Sequence, residues 1–388
     1  MPFPIQDFYL KGLKLFFQLW FLWLPVFLGY LAWYLWNYHK KARFLSSLEW
    51  TILEVKLPRE IHKSPRAMEV FLNSLHITKD GNAWERYIQG FLRPFFSLEI
   101  AGINSEIHFF IYTQKFYRNL VEAQLYAQYP DVEITEVEDY SKEFFTEGFL
   151  EKWNCFGTEF VLTDDDAYPI KTYVDYGLHE ILTKEEQKVD PMTAFIELLG
   201  SLKPGEQIWL QILVRATKKD WKAEGKKLVE KILKEKSTPE QPISATGLTP
   251  GERLVIEAIE RDVSKLGFDV GMRMMYLAFN ENFNIINIPS MIGTMKQYNS
   301  LHLNGFKPIR ATSVDYFFKK RREARLKRSM LSAYRQRSYF YLPYVRESFI
   351  LNTEELATIF HFPGGVAETP TFTRIEAKKA GPPSNLPF

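Results

Sequence analysis

Phe95-Phe96-Ser97-Leu98-Glu99-Ile100-Ala101-Gly102-Ile103-Asn104-Ser105-Glu106-Ile107-His108-Phe109-Phe110-Ile111-Tyr112 is the stretch on which the fold reading turns. Residues 95–101 and 107–112 are rich in aromatic and β-branched side chains, and Gly102-Ile103-Asn104-Ser105 between them has turn character, so the stretch predicts a β-hairpin. Working outward towards the N-terminus, Ser64 as N-cap and Pro65 in the first turn open a helix with Met68, Phe71, Leu72 and Leu75 on one face, and residues 51–56 before it form a short strand. Towards the C-terminus, residues 114–128 carry Phe116, Leu120, Val121 and Leu125 at helical spacing, stop near Pro130, and lead into a strand over 132–137. Strand, helix, strand, strand, helix, strand is the split βαβ, or ferredoxin-like, order, and the expected class is α+β.

Residues 151–284 reuse similar parts as a second α+β unit. A strand is expected at 168–176, a helix from Asp190-Pro191 to Gly200, and an apolar strand at 207–216. A lysine-rich helix follows at 219–234, then a linker at 237–247. The capping-box spacing Thr249-Pro250-Gly251-Glu252 opens a helix bearing Val255, Ile259, Val263 and Leu266, and a strand returns at 268–279. The repeat lies in pattern and not in residue identity. Residues 285–363 form a basic and connecting region, with a helix near 289–299, a strand-like 338–342 and the apolar run Phe349-Ile350-Leu351. Residues 364–388, ending Gly-Pro-Pro-Ser-Asn-Leu-Pro-Phe, read as an extended connector.

Preceding these units is an uncharged, largely apolar run at residues 15–36, after an N-terminal segment at 1–14. At about 1.5 Å per helical residue its length matches a hydrocarbon core of about 30 Å, so it reads as a transmembrane helix. No small-residue cleavage site follows it; Asn37-Tyr38-His39-Lys40-Lys41-Ala42-Arg43 comes next, within a juxtamembrane linker at 37–50. The excess of Lys40, Lys41 and Arg43 over Lys11 and Lys14 places the C-terminal bulk in the cytoplasm. The resulting expectation is a single-pass inner-membrane protein. With Cys155 as the sole cysteine, an intrachain disulfide or a cysteine-built zinc site is excluded.

Candidate chemistry is sparse. No Gly-rich loop ends in Gly-Lys-Ser/Thr, so P-loop nucleotide hydrolysis is excluded for this sequence. The seven histidines show no i, i+4 pair, and Asp164-Asp165-Asp166 reads as a solvated turn before it reads as a cation site. Cys155 is expected in the core. No catalytic residue, metal or cofactor is expected, and the chain reads as a non-enzyme. The net charge of +2 conceals a segment, residues 319–337, with nine basic residues and one acid, Glu323. Lys319, Lys320, Arg321, Arg322, Arg325, Lys327, Arg328, Arg335 and Arg337 create a positive field suited to phosphates of DNA or of anionic lipid; the plainer alternative is a solvated helix face or a salt-bridge strip between subunits. Lys218, Lys219, Lys222, Lys226 and Lys227 are interleaved with Asp220, Glu224 and Glu230 and read as an ordinary surface.

Four stretches carry a family resemblance: residues 55–60 (VKLPRE), residues 121–130 (VEAQLYAQYP), residues 301–308 (LHLNGFKP), and Phe349-Ile350-Leu351 running into residues 352–363 (NTEELATIFHFP). Together with the anchor-like start, they resemble the N-terminal regions of membrane-anchored ATPases of the HerA/FtsK superfamily, including conjugative type IV secretion coupling proteins. Such proteins continue into a nucleotide-binding core, which this sequence lacks, so the resemblance carries over no catalytic residue. It implies a membrane-anchoring assembly scaffold for a DNA-translocating or type IV secretion machine. The partners implied are a separately encoded P-loop ATPase, DNA, the membrane and further copies of the chain. A lipid-responsive protein, or an enzyme with a site between the two α+β units, is the alternative.

Overall fold

A computed structural model of the chain describes residues 14, 17–58, 63–145, 148–179, 189–236, 248–315 and 317–364. All but the first residue of the connector at 364–388, the linker at 237–247 and nearly all of the N-terminal segment lie outside these residues. Two compact units are present, one from residues up to 48 together with 79–93, the other from 49–78 and from residue 94 onward.

The smaller unit is built on helix α1 (Trp20–Ser47), which contains Pro25. A π-helical turn at Glu85–Gln89 lies against it and ends at Gly90, whose left-handed backbone approaches the Lys40 carbonyl so closely that a Cβ would sit 2.4 Å from that oxygen. The Trp36 indole N–H donates to the Tyr87 carbonyl at 3.1 Å, and Phe44 packs on Phe91. Among the described residues no helix is long and apolar enough to cross a membrane. That finding corrects the transmembrane reading of residues 15–36 and, with it, the single-pass inner-membrane placement. The physical reason lies in the composition of α1: Trp20, Trp23, Tyr30, Trp33, Tyr34 and Trp36 each bring a polar N–H or O–H. The helix then continues through Asn37, His39, Lys40, Lys41 and Arg43 without a linker.

In the larger unit the described strands form one antiparallel sheet, crossed by helices. In chain order they are β1 (Trp50–Lys56), α2 (Pro65–Ser74), β2 (Phe96–Ile103), β3 (Glu106–Gln114), α3 (Arg118–Gln128), β4 (Glu133–Val137), β5 (Trp153–Leu162), α4 (Thr193–Gly200), β6 (Glu206–Ala216), α5 (Trp221–Lys236), α6 (Pro250–Val263), β7 (Gly267–Phe279), α7 (Asn287–Thr294), β8 (Phe306–Ile309), α8 (Lys319–Arg335), β9 (Phe349–Asn352) and α9 (Thr353–Ile359). Strand order across the sheet is β4-β1-β3-β2-β6-β7-β5-β8, with β9 on β7. The hairpin quoted above is β2 and β3, turning through Asn104 and Ser105 at positive φ. The sheet runs on past residue 150 because β2 also pairs with β6 from Phe96↔Val214 to Ile103↔Gln207.

Alternation along each strand divides the side chains between two faces. One face carries Leu53, Val55, Leu98, Ile100, Ile111, Leu210, Ile212, Met272 and Met274. It is covered by α2, α3, α4, α7 and α9 through residues such as Phe71, Leu125, Phe195, Met291 and Leu356. Each such side chain contributes about 1.5–3 kcal/mol on full burial, which makes this layer the main source of stability. The other face carries Cys155, Trp209, Met275 and Leu277 under Met330, Leu331 and Tyr334 of α8. Cys155 is buried there as expected, and burial pushes its thiol up to about 12.

Two expected strands do not form. Residues 168–176 are irregular and end in turns at 173–176, and two of their backbone N–H groups go to side chains of the α9 region in place of a strand partner: Ile170 N–H donates to Glu355 Oε1 at 2.9 Å and Tyr173 N–H to Thr358 Oγ1 at 2.9 Å. The strand of that unit is β5, which lies earlier. Residues 338–342 are bends and turns packed on the sheet rather than in it. The acidic triplet at 164–166 is a turn held by Asn304, whose Oδ1 accepts from Asp164 N at 3.0 Å and whose Nδ2 donates to the Asp165 carbonyl at 3.0 Å.

Helix α9 is sealed by a buried capping box. Asn352 Oδ1 accepts from Glu355 N at 2.8 Å, and Asn352 N–H donates to Glu355 Oε2 at 2.8 Å. Asn352 also donates from Nδ2 to Asp262 Oδ1. Burial raises the Glu355 carboxyl to about 8, and burial with the Glu355 charge holds Asp262 well above the usual carboxylate range. A carboxyl whose folded pKa is raised stabilises fully below its unfolded value, and the contribution disappears as pH rises through the folded value. Stability is therefore expected to decline between about pH 4.5 and 8 on account of Glu355. Asp262→Asn, which removes the second raised carboxyl of the pair and with it that group's own titration, is expected to make the decline shallower in urea midpoints measured across the window; an unchanged slope would rule out the pair as its origin.

Candidate functional site

Helix α8 presents the basic segment. Met330, Leu331, Ala333 and Tyr334 are its buried stripe, and Lys327 turns inward, donating to Asn154 Oδ1 at 2.7 Å. Arg321, Arg325 and Arg328 follow at i, i+4 and i+7 on the outward side, spanning about 10 Å of helix axis. Lys320, Arg321, Arg322, Arg325 and Arg328 are exposed, and none makes an ion pair with another described residue. Lys319 is drawn instead to Asp315 at 3.2 Å, and Arg335, the last residue of the helix, is exposed. Phe317 and the N-cap Phe318, which has φ of 63°, are exposed at the start of the same helix.

Arg337 is the correction to the predicted basic ridge: only 1% of its side chain is exposed. It occupies the left-handed position just past α8, with Ser338 N–H donating back to the Ala333 carbonyl and Arg337 N–H to the Tyr334 carbonyl. From there its guanidinium enters the sheet face. Nε and Nη2 donate to the two oxygens of Glu99, each at 3.0 Å, while Nη1 and Nη2 reach Asp139. Glu99 also accepts from Ser97, Gln211 and Tyr140 at 2.7, 2.9 and 2.8 Å. Burial works against both charges, but the carboxylates hold Arg337 well above its ordinary value, and Arg337 holds Asp139 below the usual carboxylate range. Residue Arg337 therefore fastens the end of the basic helix to the sheet.

Glu99 belongs to a polar row crossing the sheet. Direct register partners run Glu54↔Phe110, Phe110↔Glu99, Glu99↔Gln211, Gln211↔Arg273 and Arg273↔Glu159, so their side chains share one face. Glu99, Gln211, Arg273 and Glu159 are all fully buried beneath α8 and the segment at 338–346. Sequence reading missed this row. Its only signal was a polar residue recurring on one face of successive strands, as in Ser97 and Glu99 of β2, Gln207 and Gln211 of β6, and Asp269 and Arg273 of β7. That pattern ordinarily marks a solvated face.

The residues that define a family described as a domain of unknown function (DUF8128) match at 38–374. The chain belongs to that family. The match takes in every described strand, the polar row and the whole of α8, so the basic helix and the face that holds it are both part of the DUF8128 region. None of the curated proteins matches the chain. Among the described residues no group of three or more His, Cys, Asp or Glu is placed to hold a metal ion.

Proposed function

We propose that this DUF8128 protein is a non-enzymatic scaffold that lays α8 along the phosphate backbone of DNA, as part of a translocating or type IV secretion-like machine whose P-loop ATPase is a separate chain. The observation that carries DNA contact is the outward row of α8: five exposed cations without acidic partners among the described residues, on a helix tied down at its far end by Arg337. A polyanion with one charge per about 1.7 Å supplies the missing counter-charge over the whole row. The place in a machine rests on the resemblance to HerA/FtsK-superfamily N-terminal regions. We also read each half of the sheet as a ferredoxin-like unit. Support comes from the strand order β4-β1-β3-β2 in the first half and its counterpart β8-β5-β7-β6 in the second, the two meeting at β2 and β6.

The test is duplex-DNA binding by the full chain as a function of salt, for the natural protein and for a variant carrying Arg321→Ala, Arg322→Ala, Arg325→Ala and Arg328→Ala. The logarithmic salt slope is expected to fall by about 3 to 4 in the variant, one counterion release for each lost phosphate contact. An unchanged slope, or binding to anionic vesicles and not to DNA, overturns the reading.

A further inference from the structure

Two arginines converge on the carboxylate of Glu159 at the other end of the polar row, and a third stands beside it on the neighbouring strand. Arg310 donates from Nη1 to Glu159 Oε2 at 3.1 Å, and Arg346 brings Nε to 3.6 Å from the same oxygen. Arg310 holds φ of 50° after β8, a left-handed backbone that L side chains rarely adopt. Arg273, paired in register with Glu159, is fully buried, and only its Nη2 is engaged, donating to the Ser338 carbonyl at 2.7 Å. Its Nε and Nη1, the Nε of Arg346 and the Oε1 of Glu159 have no hydrogen-bond partner among the described residues. Tyr339 and Tyr344 wall the cluster, their rings lying 5.3 and 5.6 Å from the Arg273 guanidinium, and Tyr344 stacks under Arg346 at 3.7 Å.

Three guanidiniums against one carboxylate leave an excess of two positive charges. Two of the three, Arg310 and Arg346, are partly exposed and provide a way in, whereas Arg273 has buried donors left over. A buried donor without a partner costs stability unless a ligand satisfies it, and an arginine fork matches the oxygens of a tetrahedral oxyanion better than it matches water. We propose that Arg273, Arg310 and Arg346 form a binding site for a phosphate dianion, either free inorganic phosphate or the terminal phosphate of a monoester. The site is separate from α8 and does not depend on DNA binding there. Arg310 and Arg346 close on the phosphate oxygens from the solvent side, Arg273 supplies charge and donors from beneath, and Glu159 orients the two outer arginines.

Calorimetric titration of the full chain at constant ionic strength tests this, with inorganic phosphate, adenosine monophosphate and adenosine as probes. Saturable phosphate binding is expected, with Arg310→Gln and Arg346→Gln each weakening it about tenfold or more, as loss of one charge-assisted contact implies. Both positions are partly exposed, so the variants are expected to remain folded; unchanged far-ultraviolet circular dichroism checks that. Tighter binding of the monophosphate than of inorganic phosphate, with none for adenosine, assigns the site to esters, and the reverse order assigns it to free phosphate. Absence of saturable binding of either phosphate overturns the proposal. So does binding that survives both substitutions but is lost on Arg325→Ala of α8.

Discussion

Arg337→Met is expected to lower the free energy of unfolding by about 3–5 kcal/mol, a large part of the about 5–15 kcal/mol that holds a typical domain together. The loss does not come from one attractive pair. With the guanidinium removed, Glu99 at 0% exposure and Asp139 at 15% are left facing each other without a counter-charge, and methionine offers neither of them a donor. Two further features sharpen the expectation. First, the left-handed conformation at position 337 disfavours every residue but glycine and, to a lesser degree, asparagine, so the native arginine is kept there against local strain by its two carboxylate partners. Arg337→Gly relieves that strain and is expected to be less damaging than Arg337→Met by about 1 kcal/mol. Second, Glu99→Gln added to Arg337→Met removes one of the stranded charges, and the double variant is expected to be more stable than Arg337→Met alone. Urea unfolding of the four proteins decides the matter. A loss below about 1 kcal/mol for Arg337→Met, or no recovery with Glu99→Gln, would show that the network is solvated and adds little.

Gly271→Val is expected to cost a comparable amount, about 3 kcal/mol or more, from the same face of the sheet but by a steric route. A Cβ at position 271 would stand 2.3–2.5 Å from three ring atoms of Tyr339. Tyr339 has little freedom to yield: it is fully buried, its hydroxyl donates to the Glu347 carbonyl at 3.1 Å, and Arg273 lies over its ring. The substitution must lift the segment at 338–346 from the sheet or bend β7, which is hydrogen-bonded along its length to β5 and β6. Tyr339→Ala alone is expected to cost about 3–5 kcal/mol through the cavity it leaves. Because the valine side chain occupies part of that cavity, the double variant is expected to be less destabilised than the sum of the two single variants by at least about 1 kcal/mol. Strict additivity would mean that the glycine is there for the strand backbone and not to seat the ring.

The two substitutions mark the boundary between what could be read and what could not. Local pattern was sufficient for the helix opened by Ser64-Pro65, for the hairpin at Asn104-Ser105 and for the capping box at Thr249. In each of these the deciding interactions lie within about four residues along the chain. Pattern was not sufficient at 168–176, where an apolar run gave up a strand ladder for side-chain acceptors on α9, more than 180 residues away. The tryptophan-rich start also misled, because hydrophobic length was read without the polar atoms that aromatic residues carry. The same limit divides the candidate site. The cations of α8 stand in the sequence as an obvious block, but nothing in the block separates the exposed Arg321, Arg325 and Arg328 from Arg337, which is drawn into the sheet.

By itself the sequence determined much of the alternation of strands and helices, the burial of its lone cysteine and the position of its basic block, since these follow from residue type and short-range spacing. Only the tertiary structure decided that β2 and β6 join the strands into one sheet and that the polar alternation of β2, β5, β6 and β7 is covered and not solvated. It also decided that Arg337 and Arg273 spend their charge in the interior. Strand alternation specifies that a sheet has two faces; which of them meets water depends on what a distant segment lays across it, and that choice is made by packing between residues far apart in the chain.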